Sequence, residues 1–250
     1  MKGLREHEIL QIWERGRGQV WVDRALTILE QVFPDCKRER LSKVPIGRRD
    51  KLLFAARTLT FGQRLPSLVA CLSCGEQLEF DFEAADLGIS TDVSGLKIGP
   101  AEEERMFREE KYTVDFALLT SADLGACRAE KRLEVVRKEL ARRCVRRAWL
   151  DGREIPAEEL PENIIVALSK RVEQSDPHAL IEFDLICPAC GESWQNQFDI
   201  VTFFWKEIEF QAQRLLREVH MLAMAYGWPE SDILALSTTR RQFYLEMVTK

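Results

Sequence analysis

With 250 residues the chain can bury a sizeable core, as one large domain or two small ones. A composition of 46% hydrophobic and 31% charged residues is that of an ordinary globular protein, and a net charge of −5 argues against a protein that coats nucleic acid, which needs a basic face. The chain has no run of about 18 apolar residues, so no membrane span is expected. The charged, helix-patterned start MKGLREHEILQIWERG lacks the apolar run and cleavage site of a signal peptide, so a cytoplasmic location is expected.

Apolar residues recur at helical spacing through residues 5–33, first at Ile9, Ile12 and Trp13, then from Trp21 to Val32, with a break near Arg15–Gly18. Residues 47–60 give another helix, with Gly62 as its C-terminal cap. SLVACLSCGEQLEFDF then reads as strand, tight turn, strand, with Leu78, Phe80 and Phe82 on one face. Residues 88–110 are poor in apolar residues and read as loop or weak strand. Residues 111–120 read as a strand, with Thr120 or Ser121 capping the next helix.

Residues 129–143 form a strongly charged helix, and CVRRAWLDGREI a hairpin turning at Asp151-Gly152. Residues 157–174 are helical. ALIEFDLI, 179–186, is a strand that leads into CPACGESWQNQFDI. Asp199 then caps a helix that Gly227 ends, a rod of about 40 Å. Pro229 or Ser231 opens a short helix, and Ser237 a last one.

Seven cysteines are present, and two pairs of them sit in the same setting. CLSCGE, from Cys71, recurs as CPACGE from Cys187, and each is followed at the same offset by a phenylalanine and an acid, Phe82-Glu83 and Phe198-Asp199. A Cys-x-x-Cys-Gly turn aims two sulfurs at one point, and the glycine permits the backbone there. Structural zinc takes four ligands in a tetrahedron, so each turn supplies half a site. One zinc held by Cys71, Cys74, Cys187 and Cys190 is therefore expected. Four reduced cysteines without metal, or a redox dithiol, are the competing readings, and redox dithiols usually open a helix rather than precede a strand. Cys36, Cys127 and Cys144 read as small buried hydrophobes.

The rest of the chain offers little to an enzyme. His7, His178 and His220 lack triad or ligand spacing, with His220 expected to be partly buried, and there is no G-x-S-x-G or phosphate loop. Four thiolates would also leave a zinc no open position for water. The basic run 137–149 reads as a solvated face balanced by Glu130, Glu134 and Glu139.

On the Asp199–Gly227 helix, Trp205, Ile208, Ala212, Leu215, Val219, Leu222 and Tyr226 form a coiled-coil-like seam. Phe203, Phe210, Met221 and Met224 lie on the other side. They mark a candidate partner-binding stripe, because aromatic residues and methionine are enriched at interfaces; burial in the chain's own core is the alternative.

VPIGRRDKLLFAARTLTFG ahead of CLSCG, and the run from CPACGESW to RRQFYL, resemble the baseplate proteins of contractile phage tails, the T-even baseplate hub assembly type above all. That resemblance implies a non-enzymatic assembly or structural role in a phage tail or contractile injection system. The chain would be a hub component, or a chaperone for the hub or tape-measure protein, with other baseplate proteins as partners. A nucleic-acid-binding zinc-ribbon protein is the alternative, although no nucleic acid is expected on charge.

The expected fold is α+β. A zinc-ribbon-like β core built from two Cys-x-x-Cys hairpins is flanked by N-terminal helices and a long C-terminal helix. The expected organisation is a helical region at 1–66, paired knuckle hairpins at 67–87 and 179–199, an inserted α/β segment at 88–178 and a C-terminal helical region at 200–250.

Overall fold

The computed structural model describes all residues except Lys97, Glu102, Thr249 and Lys250. Helix α1 (Glu6–Gly16) buries Ile9, Leu10 and Ile12, and α2 (Trp21–Val32) buries Ala25, Leu26, Ile28, Leu29 and Val32, as their spacing requires. A five-residue helix, α3 (Arg38–Ser42), comes next. It is too short to show a period in the sequence. Helix α4 (Ile46–Phe61) is buried on most of its surface, and Gly62 ends it at φ 97°, donating its N–H to the Thr58 carbonyl.

Strands β1 (Leu65–Ala70) and β2 (Gln77–Phe82) form the first antiparallel hairpin. Strands β3 (Met106–Glu109) and β4 (Tyr112–Phe116) come after it; the stretch expected as loop or weak strand pairs with β4 at its end, and β4 is shorter than expected. Only Phe107 of β3 is buried, which is why its alternation is faint in the sequence.

Thr120 caps α5 (Ser121–Cys127), and the charged helix α6 begins only at Leu133 and runs to Arg143. Strands β5 (Val145–Leu150) and β6 (Arg153–Ile155) turn at Asp151-Gly152, both at positive φ (47° and 82°), as Asp-Gly hairpins do. The sheet order is β3-β4-β5-β6. It packs with α6 and α7 (Glu162–Ser175) around Val114, Phe116, Cys144, Ile164 and Leu168, a core of its own.

Strands β7 (Ile181–Ile186) and β8 (Ser193–Phe198) form the second hairpin. Helix α8 (Ile200–Tyr226) is 27 residues long, begins at the Asp199 cap and ends at Gly227. Its seam from Trp205 to Leu222 is buried, whereas Tyr226 is exposed. Gly16 of α1 lies so close to Trp205 that a Cβ there would stand 2.4 Å from the indole. Helices α9 (Glu230–Ala235) and α10 (Thr238–Val248) fold back, packing Ile233 and Leu245 on Val219 and Leu222.

The main core joins α1, α2, α4 and α8 to the bases of both hairpins through Leu65, Phe82, Ile181 and Phe198. Arg57 braces this junction. It is buried, donates to the carbonyls of Gly62 and Arg64 at 2.8 and 2.7 Å, and grips Glu207 of α8 with two hydrogen bonds. Among the described residues no helix is long and apolar enough to cross a membrane.

Candidate metal centre

The two hairpins are equivalent position for position at an offset of 116 residues, Cys71 corresponding to Cys187. In the first turn the Cys71 amide donates to the Glu76 carbonyl at 2.8 Å and the Gly75 amide to the Cys71 carbonyl at 3.0 Å. In the second, the Cys187 amide donates to Glu192 at 2.8 Å and the Gly191 amide to Cys187 at 2.9 Å. Gly75 and Gly191 take φ of 77° and 75°, a conformation that disfavours side chains. Identical turns thus lift two sulfurs from each hairpin.

Phenylalanines pack the hairpins side by side. Phe82 and Phe183 meet at 4.8 Å between centroids, Phe80 and Phe183 at 5.7 Å, and Phe54 of α4 stacks beneath Phe198 at 5.9 Å. This packing brings the turns together at the far end. The four sulfurs lie within 4.8 Å of one another. Two approaches cross between the hairpins: Cys71 Sγ to Cys190 Sγ at 3.7 Å and Cys74 Sγ to Cys187 Sγ at 3.6 Å. A tetrahedron with zinc–sulfur bonds of about 2.3 Å has sulfur–sulfur edges of about 3.8 Å, so the donor set fits the ion in kind and in span. Among the described residues it is the one group of three or more histidine, cysteine or acidic side chains close enough to hold a metal ion.

The thiols respond to being gathered. The backbone amides of Cys74 and Ser73 draw the Cys71 thiol down to about 7 against burial, with the neighbouring thiols assisting. The Glu76 amide pulls on Cys74 in the same direction, but the thiols of Cys190, Cys187 and Cys71, together with burial, push it up to about 12. One sulfur ionises readily and makes the next one harder to ionise. A divalent cation removes that conflict.

Cys71 and Cys187 are buried, and Cys74 and Cys190 exposed. Of the lone cysteines, Cys127 and Cys144 are buried and Cys36 half-buried. Burial pushes the Cys144 thiol up to about 12, which suits an inert core residue. His220, expected to be partly buried, is exposed.

No curated protein and no solved structure matches this chain. Residues 6–205 match the family described as T4 bacteriophage base plate protein. The chain belongs to this family. Its matched span takes in both hairpins, the elements between them and the start of α8. Membership gives the chain a structural role associated with a tail baseplate and a non-enzymatic classification.

The candidate partner stripe divides along α8. Phe203 is half-buried against Phe198, at 5.3 Å, and under the Arg57 guanidinium at 5.5 Å, and Met221 packs into the cluster that holds α9 and α10. Phe210 and Met224 stand 65% and 75% exposed. The basic run is partly neutralised in place. Lys138 pairs with Glu162, Arg143 with Asp123, and Arg146 donates to the carbonyls of Ala101 and Glu103.

One feature was not legible in the sequence. A cleft of about 990 Å³ separates α6 and α7 from Trp21, the start of α4 and the second hairpin. On its floor burial pushes the Asp50 carboxyl up to about 6, against the pull of Arg49, which bonds it at 2.7 Å. Arg49 also donates to Ser121 Oγ at 3.2 Å, so these buried polar groups are engaged with one another.

Proposed function

We propose that this chain is a zinc-stapled assembly or structural protein of a contractile-tail baseplate. It serves at the hub, as a component or as a chaperone for the hub or tape-measure protein, and works in the cytoplasm before or during incorporation into the tail. The observation that carries the reading is the Cys71–Cys74–Cys187–Cys190 cluster within a baseplate-family chain. Four thiolates saturate a tetrahedral zinc and leave no position for a substrate, so the ion acts as a cross-link. It would join two chain segments separated by the whole insertion, and structural zinc of this kind contributes on the order of 10 kcal/mol.

The same reading divides the chain into the N-terminal helical region 1–66, the knuckle hairpins 67–87 and 179–199, the insertion 88–178 and the C-terminal region 200–250. Phe203, Phe210, Met221 and Met224 form the partner stripe, with Phe210 and Met224 as its accessible members. Two measurements test the proposal. Elemental analysis of protein purified without added metal should give about one zinc per chain, and chelation should lower the melting temperature. Tagged protein from cells producing the whole tail cluster should co-purify with hub or tape-measure protein. Absence of metal together with indifference to chelator removes the zinc, and failure to retain any baseplate protein removes the assembly role.

A further inference from the structure

The two hairpins are near-copies, so one serves as a reference for the other. On the outward face of the second hairpin β7 carries Glu182 and Asp184, which accept cross-strand hydrogen bonds from Gln197 and Gln195 at 3.3 and 3.2 Å. That is how a solvated face of this hairpin is built. At the equivalent positions the first hairpin carries Pro66 and Leu68. Leu68 is 56% exposed, and Leu72, where the second turn has Pro188, is 81% exposed. The inward face of the same hairpin is covered, since Phe80 and Phe82 pack on Phe183.

The register sets a second stripe beside the apolar one: Leu68 lies opposite Glu79, and Pro66 opposite Asp81. The apolar stripe continues off the hairpin. A groove of about 630 Å³, walled by Pro66, Phe61, Phe203 and Phe210, leads from the base of β1 to the exposed ring of Phe210 on α8.

We propose that this face, from Leu72 and Leu68 across the groove to Phe210, docks a lysine- and arginine-bearing amphipathic helix of another protein. The apolar stripe needs a cover, and a sheet face is covered by a helix or by another sheet. From Pro66 to Leu72 the stripe runs about 20 Å, the length of a helix of about 13 residues. Charge decides the sign of the partner. Residues 67–87 and 179–199 hold nine acidic residues and no lysine or arginine, and Glu79 and Asp81 of these stand opposite Leu68 and Pro66 on this face. Arg64 beside the face is closed on Asp81 at 2.6 Å and Arg57 on Glu207, leaving Lys206 as the cation at the groove's α8 wall. A phosphate backbone is repelled by such a surface, and a basic helix is drawn to it. The proposal rests on the assembly reading only in taking the partner to be a protein.

The test uses the full chain as purified and a synthetic 18-residue Leu/Lys amphipathic helix as probe, with its Leu/Glu isomer and a single-stranded DNA for comparison. The Leu/Lys peptide should bind, more weakly as salt rises. Leu68→Asp and Glu79→Lys should each weaken it about tenfold or more. Leu133→Asp and Glu158→Lys, equivalent changes at exposed sites on the insertion, should leave binding unaltered. Circular dichroism and melting temperature report whether each variant is folded, and the two face variants fail independently. Equal binding of the Leu/Glu isomer, preference for the DNA, or Leu/Lys binding indifferent to both face variants would overturn the proposal. None of these outcomes bears on co-purification with baseplate proteins, which tests the assembly role separately.

Discussion

Phe82 and Phe198 hold the same place in hairpins 116 residues apart, and their rings meet edge to face at 5.0 Å with planes at 90°. Each is followed by an acid that caps a helix. Glu83 caps a single 3-10 turn that Gly88 ends, and Asp199 caps the 27 residues of α8. One repeat unit thus gives the chain a pair of sulfur-bearing turns and, from its second copy, the principal helix of the core.

Phe82→Ala should therefore weaken two things at once. The ring is buried against Phe80, Phe183 and Phe198, so its loss costs about 3–5 kcal/mol by removing packing. It also frees one hairpin from the other, so metal affinity should fall although every thiol remains. A denaturant titration and a zinc competition assay measure the two effects. A destabilised variant with undiminished zinc affinity would mean that the metal, not the rings, aligns the hairpins.

The sequence displayed this arrangement where it repeats itself. The matched cysteine turns and the Phe-acid step revealed the four-cysteine cluster, and the Asp199 and Gly227 caps framed α8 to the residue. It did not display pairings between charged residues far apart in the chain. Arg57 and Glu207 stand 150 positions apart, and nothing local to either distinguishes a buried ion pair from two solvated side chains. Strand β3 escaped for a related reason. As the edge strand it pairs through backbone with β4 alone, and a single buried side chain leaves no alternation to read.

Zinc binding should depend on pH with a fixed sign. On the proposed reading thiolates would be the ligands, so binding would displace protons and affinity would fall as pH falls. Competition with a chromophoric chelator from mildly alkaline to mildly acidic conditions should show progressive loss of metal. Cys71→Ser should abolish tight binding and lower the melting temperature; affinity independent of pH would rule out thiolate ligation.

Glu8 should govern stability on the acid side. Burial draws its carboxyl upward, but the side chain and amide of Arg5, with Lys2, outweigh burial and hold it down to about 2 from 4.5. The folded form therefore releases the proton more readily than the unfolded one. Its contribution is complete above about pH 4.5 and is lost as pH falls toward 2. Glu8→Gln should flatten that decline in urea midpoints, and an unchanged acid limb would place the titrating group elsewhere.

Phe210 is an exposed residue of the proposed partner stripe. Phe210→Ala should shift stability by no more than about 0.5 kcal/mol, as exposed substitutions do. It should also reduce co-purification with baseplate partners. A stable variant that co-purifies normally would take Phe210 out of the interface.

Arg241 fixes the end of the chain to its beginning. The guanidinium is 0% exposed, donates from Nε to Glu218 Oε2 at 2.7 Å and from Nη2 to Glu6 Oε1 at 2.5 Å, and so ties α10 to both α8 and α1. Gln242 adds a donor to the other Glu218 oxygen at 3.1 Å. Burying both charges costs desolvation that their attraction offsets only while the pair is intact. Glu218→Ala leaves the buried cation with Glu6 alone and should cost up to about 3–5 kcal/mol, whereas Arg241→Met combined with Glu218→Leu removes the fully buried pair, leaves only the more exposed Glu6, and should recover much of the loss. Because α9 and α10 rest on the small cluster of Val219, Leu222, Ile233 and Leu245, the single variant should also become sensitive to proteolysis between Gly227 and Ser237. Thermal melts and limited digestion of the two variants decide the matter. A double variant no more stable than Glu218→Ala would show that the network is held by shape and hydrogen bonding that apolar side chains cannot replace.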